Sequence, residues 1–119
     1  MKLFLTPFLL AIVSFSFAQD TISSKNVNEY IGKEVVLKGK IASFKLASEG
    51  KSTNFINIDK AYPNNIFTVV LTNKYLQEKN IQLSNSKGKK IIVKGKVSIY
   101  ENDPKKIPQI FNPTFLEIK

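Results

Sequence analysis

A chain of 119 residues with no cysteine and no histidine is one domain. It has no disulfide or thiol chemistry, and it lacks the commonest general base and metal ligand. Its 18 basic residues, all lysine, stand against 9 acidic ones for a formal charge of +9. The absence of arginine argues against bidentate reading of guanine edges. The abundance of Lys, Ile and Asn also fits an AT-rich genome, so the charge alone does not imply a polyanionic partner.

Residues 1–18 have the three regions of a secretory signal peptide. Lys2 supplies the positive start, Leu3 to Val13 the apolar stretch, and Ser16-Phe17-Ala18 the small-x-small end. The apolar run is short for a membrane span and is interrupted by Pro7. With no cysteine beside the cleavage site, a lipoprotein anchor is excluded, and no stable membrane anchor is expected after cleavage. The expected location is therefore outside the cytoplasm, periplasmic or secreted. Residues 19–31 form a polar N-terminal extension. Asn26 to Ile31 has the spacing of one helical turn, with Val27, Tyr30 and Ile31 on one side and Gly32 ending it.

The next stretch occurs twice. Residues 32–44, G-K-E-V-V-L-K-G-K-I-A-S-F, align without a gap with residues 88–100, G-K-K-I-I-V-K-G-K-V-S-I-Y. The alignment matches Gly32 with Gly88, Gly39 with Gly95, and Phe44 with Tyr100. β-Branched residues broken by one glycine read as a strand that bends. Alternation puts Val35, Leu37, Gly39 and Ile41 inward in the first copy, and Ile91, Val93, Gly95, Val97 and Ile99 inward in the second. Lys38, Lys40, Lys94 and Lys96 point outward. The repeat is thus read as two long, bent strands of one barrel.

Residues 45–52 are a polar loop with Gly50 at its tip. Residues 53–60 alternate as a strand, with Ile56 and Ile58 on one face and Phe55, Asn57 and Asp59 on the other. Tyr62-Pro63-Asn64-Asn65 is a turn. Residues 66–72 are apolar enough to be a strand covered on both sides. Residues 73–83 change to a helical period through Tyr75, Leu76, Lys79 and Leu83, with Thr72 or Asn73 as cap. The second repeat copy follows, then a charged turn at 101–106. Residues 107–118 form a last strand, made irregular or an edge by Pro108 and Pro113.

The order strand, strand, strand, helix, strand, strand describes an all-β chain with one short helix, the five-stranded OB-fold barrel. Residues 32–119 are the expected barrel. The run through Lys45, Ser48, Gly50, Lys51, Phe55, Asn57, Tyr62, Pro63, Asn64, Phe67, Thr68, Val69 and Val70 resembles a group of small exported bacterial OB-fold proteins of the nucleic-acid-binding type. The resemblance spans residues 30–118. One departure is that members of that group often carry tryptophan after the F-T-V-V strand, where this chain has Thr72-Asn73.

No acidic pair has the context of a glycosidase or a metal loop. Ser48 and Lys51 have the spacing of a serine–lysine acyl enzyme, but in a glycine loop rather than at a helix start. The chain is expected to be non-enzymatic, with no metal and no cofactor. OB barrels bind extended ligands across the second and third strands, between the loops joining strands one to two and four to five. There, Phe55 and Tyr62 are candidate stacking rings and Asn57 a candidate base-edge partner. Lys45, Lys51, Lys60, Lys105 and Lys106 are candidate phosphate partners. A register shifted by one residue would instead make Phe55 core.

The expected function is an exported module that binds single-stranded DNA or RNA weakly and without sequence preference. The alternative is an envelope protein whose OB barrel takes a protein, a glycan or a small ligand. Cleavage after Ala18 predicts a mature protein beginning at Gln19. N-terminal sequencing of the exported product checks this, and an intact Met1 would refute it.

Overall fold

The computed structural model describes residues 21–119, so the expected signal peptide lies outside the described residues. The strands are β1 (Thr21–Ile22), β2 (Glu34–Lys45), β3 (Thr53–Ile58), β4 (Thr68–Thr72), β5 (Lys90–Lys96), β6 (Ser98–Ile99), β7 (Pro108–Phe111) and β8 (Phe115–Ile118). A 3-10 segment, Ser24–Tyr30, precedes β2, and one α-helix, α1 (Asn73–Lys79), follows β4. Among the described residues no helix is long and apolar enough to cross a membrane.

The two repeat copies pair with each other. β2 and β5 run antiparallel from Glu34 opposite Lys96 to Lys40 opposite Lys90, with Leu37 opposite Val93 at the centre. This register relates the copies by a local two-fold, and the bonds beyond it obey the same symmetry. Gly32 N–H donates to Val97 O and Gly88 N–H to Ile41 O, both at 2.7 Å. Val97 N–H donates to Lys33 O at 3.0 Å and Ile41 N–H to Lys89 O at 2.9 Å. Gly32 and Gly88 take φ of +88° and +87°, which only glycine adopts without strain.

Alternation then fills the barrel. Val35, Leu37, Ile41, Ile91, Val93 and Val97 are all buried, beside Ile56, Ile58, Phe67, Val69, Leu71 and Ile110. Beyond the paired region β2 shifts register between Ile41 and Ser43 and turns to pair with β3. The second copy makes the same departure by breaking at Val97, so that it is two strands, β5 and β6, and β6 pairs with β7. The strand order is β6-β7-β4-β3-β2-β5-β8, with β1 parallel to β2.

Four further differences from expectation have local causes. The helix ends at Lys79 rather than at 83, because Asn80 turns left-handed at φ 55°. Leu83 still reaches the core from the loop, so the apolar period outlasts the helix. The last strand is split into β7 and β8 by Asn112, at φ 42°, and Pro113. Asp59 is not on the outer strand face. It lies past β3 at φ 68°, and its carboxylate accepts from the Ser24 hydroxyl and from Lys40 N–H. Finally, the residues expected as an extension fold onto the barrel, with Ile22 and Val27 in the core, while Ile31 is exposed.

β4 is buried on both faces, as its apolar run implied. Thr72 caps α1, its hydroxyl accepting from Tyr75 N–H. Tyr75 is buried, which raises its phenol above its ordinary pKa, and its hydroxyl donates to Pro113 O at 2.7 Å.

The repeat glycines are sites of close approach. A Cβ on Gly39 would lie 2.5 Å from Ile58 Cγ2, and one on Gly95 would lie 2.6 Å from Ile110 Cγ2. Each clashing methyl belongs to a β-branched side chain that is fully buried, so it has little room to yield. Gly39→Ala and Gly95→Ala are each expected to destabilise the protein by about 1–3 kcal/mol, as overpacking does. Urea midpoints check this. Lys87→Ala, on an exposed loop, is expected to stay within about 0.5 kcal/mol of the parent.

Candidate functional site

The outer face of β2, β3, β4 and β7 is built by cross-strand register. One row runs Ser43, Asn57, Thr68 and Gln109. The next runs Lys45, Phe55, Val70 and Phe111. The strand register is the one expected, since Ile56 and Ile58 are buried and Phe55 is 38% exposed.

A groove of about 740 Å³ lies over the first row. Its rings are Phe44, Phe55, Tyr62 and Tyr100, and its charged side chains are Lys45, Lys105 and Asp103. Phe44 and Tyr100 are the matched ends of the two repeat copies, so each bent strand delivers one ring to the same groove. Tyr62 and Tyr100 are 76% and 56% exposed, so these rings stand open to solvent and available to a ligand.

The floor is a fixed polar network. Asn57 Nδ2 donates to Ser43 Oγ at 3.0 Å, and Thr68 Oγ1 donates to Asn57 Oδ1 at 3.1 Å. Asn65 Nδ2 donates to Thr68 Oγ1 at 3.0 Å, and Tyr62 N–H donates to Ser43 Oγ at 3.3 Å. This network sets the Tyr62 turn against β2. It also engages both ends of the Asn57 amide. Asn57 is buried, so it acts first as floor.

The wall opposite is the loop between β6 and β7. The Asp103 carboxylate accepts Lys105 N–H at 2.9 Å and Ile107 N–H at 3.0 Å. These two bonds hold its pKa below the ordinary aspartate value, with Lys105 N–H the largest cause. Lys105 Nζ donates to Pro63 O at 3.2 Å, which joins this loop to the Tyr62 turn across the groove.

Of the eight residues expected in the site, Lys45, Phe55, Asn57, Tyr62 and Lys105 line the groove together. Lys51, Lys60 and Lys106 do not. Lys106 Nζ instead binds Glu101, through its carboxylate at 3.3 Å and its carbonyl at 2.8 Å. Ser48 and Lys51 sit in a turn closed by Lys51 N–H on Ser48 O, a loop that packs against the start of α1, where Asn73 N–H donates to Ser52 O at 2.9 Å, but that does not itself begin a helix. The sequence reading missed Ser43, Tyr100, Asp103 and Gln109. The repeat carried a signal for Tyr100, through its match to Phe44.

The architecture is that of the OB-fold, a barrel whose open sheet face carries a groove. A protein assigned as an aspartyl-tRNA synthetase from Leishmania major superposes with a TM-score of 0.60 at 9% identity, covering 90% of this chain and 22% of that one. Yeast Stn1 and Ten1 give 0.59 at 12% identity, over 86% of this chain and 63% of that one. An OBody, AM1L10, bound to hen egg-white lysozyme gives 0.58 at 17% identity, over 88% and 98%. The chain thus spans about a fifth of the synthetase and under two thirds of the yeast chain. At these identities the likeness is one of fold. No protein-family model matches the sequence, and no curated protein matches it.

Because the Asp103 pKa is lowered on folding, its bonds support the loop above the ordinary aspartate range. That support is lost only as pH falls through the depressed value. Lys105 and Ile107 amide signals are therefore expected to hold steady through the pH range in which an ordinary aspartate titrates and to shift only below it. In Asp103→Asn both amides should exchange faster at neutral pH; unchanged exchange would show that the carboxylate does not order the loop.

Proposed function

We propose that the protein is an exported, non-enzymatic OB-fold module that holds single-stranded nucleic acid in this groove, weakly and with little sequence preference. The observation that carries this is the set of three exposed rings, Phe55, Tyr62 and Tyr100, around one groove with Lys45 and Lys105 beside them. Bases stack on such rings whatever their identity, and lysines meet the phosphates without reading sequence. The similarity of fold to tRNA synthetases supports the reading.

A second reading is an envelope protein that takes a protein, a glycan or a small ligand in the same groove. What favours it is the low groove charge, in which Asp103 offsets one of two lysines. The lysozyme-bound OBodies have a similar fold.

The two readings separate in a salt series. Two phosphate contacts predict a log–log salt slope of about −1.4 for a single strand. This is shallow, because the rings supply most of the hold. Fluorescence anisotropy of the protein with a labelled trinucleotide, short enough to lie in this groove alone, measures it. Binding near physiological salt with that slope, weakened about tenfold by Phe55→Ala, supports the first reading. A much steeper slope that ignores Phe55→Ala would mean a lysine coat attracting any polyanion, and would overturn it. No binding at physiological salt would leave the second reading.

A further inference from the structure

The groove ends at β7, but the sheet face continues. Gln109 lines the groove, and its Cα partner Ser98 on β6 lines a second hollow of about 310 Å³. Phe111, two residues along the same face of β7, lines that hollow with Lys96 and Thr114. Phe111 is 52% exposed and shares a row with Phe55, with Val70 buried between them. One strand separates β3 from β7, so the two ring-bearing positions stand about 10 Å apart.

Each ring has a lysine companion. Lys45 is the cross-strand partner of Phe55, and Lys96 shares the second hollow with Phe111. Glu34 also lines this hollow and is the Cα partner of Lys96; the two make no ion pair, so the carboxylate offsets the local charge, as Asp103 does in the groove, without tying down the ammonium.

The turn beside the hollow is held firmly. Asn112 Oδ1 accepts Thr72 N–H at 3.1 Å, Asn112 N–H donates to Val70 O at 2.8 Å, and Tyr75 holds Pro113. Phe111 is therefore presented from fixed backbone rather than from a mobile loop.

From this continuity, and resting on the reading of the groove as a single-strand site, we propose that the bound strand runs on across β7 into the second hollow. There Phe111 stacks a further base and Lys96 meets its phosphate. An aromatic ring paired with an ammonium is the repeating unit of sequence-tolerant single-strand sites. Phe55 with Lys45 and Phe111 with Lys96 supply two such units on one sheet face.

The test compares a trinucleotide, which the groove alone can hold, with an oligonucleotide of about nine bases of related sequence. Anisotropy is measured on the protein and on Phe55→Ala, Phe111→Ala and Lys96→Gln. Phe111→Ala is expected to weaken the longer strand about tenfold and leave the trinucleotide unchanged, while Phe55→Ala weakens both. Lys96→Gln is expected to lower the salt slope for the longer strand alone, by about 0.7.

If the longer strand ignores both Phe111→Ala and Lys96→Gln while Phe55→Ala still weakens it, the second subsite is refuted and the groove reading stands. Equal weakening of both lengths by Phe111→Ala would likewise refute the subsite, since the ring would then act through the groove's structure. If neither length binds the parent protein, the groove reading falls and the subsite with it.

Discussion

Two contacts without a side chain between them shape this molecule. At Gly39 and at Gly95 a bent strand passes so close to a neighbouring isoleucine methyl that a Cβ would overlap it. Ile58 and Ile110 fill the space that the missing side chains leave. The close approach lets each strand leave the central β2–β5 ladder and join a different partner, β3 in one case and β7, through β6, in the other. The sequence repeat is thus a repeat of function in the fold. The same glycine, at the same place in the unit, turns each copy toward the same open face. The two copies meet about a local two-fold, so one bend closes each side of the barrel.

That bend also decides where a ligand can sit. The inner faces of β3, β4 and β7 are committed to the core through Ile56, Ile58, Val69 and Ile110. Their outer faces are left with polar floor residues and rings. The floor carries bonds among Ser43, Asn57, Thr68 and Asn65 that set the strands and the Tyr62 turn relative to each other. Such a floor rigidifies the site and leaves ligand contacts to the walls. The wall loop is tied to the same turn by Lys105 on Pro63. Lys105 therefore both lines the groove and holds its wall in place.

Much of this was legible in the chain, and the limits were physical. Period-two alternation put Phe55 outward and Ile56 and Ile58 inward because a strand's faces are fixed by its pleat. A helix cap at Thr72 or Asn73 was legible because side-chain caps are local chemistry, and the structure selects Thr72. Helix length was misread because Leu83 keeps the apolar spacing after Asn80 has already ended the helix. Phe111 and Gln109 were not legible as surface partners of Phe55 and Asn57. Their place depends on the parallel β4–β7 pairing, which joins residues far apart in sequence. Asp103 was not legible either, since its role arises from two backbone amides that only the loop's geometry brings to it.

The large positive charge and the groove are largely separate features. Lys38, Lys40, Lys90, Lys94 and Lys96 lie along the outer β2–β5 ladder, where Lys40 stands directly opposite Lys90. Like charges so placed repel each other, a cost that a solvated face tolerates because water screens it. Among the described residues the groove holds two lysines, and one carboxylate opposes them. A field spread over the surface raises the rate at which a polyanion arrives but does not fix where it stays. The exposed rings, Phe55, Tyr62 and Tyr100, stand at the groove and not along the lysine-bearing ladder. The fold thus places the two features separately: the central ladder spreads the charge, and the bent strands bring aromatic residues to one open face.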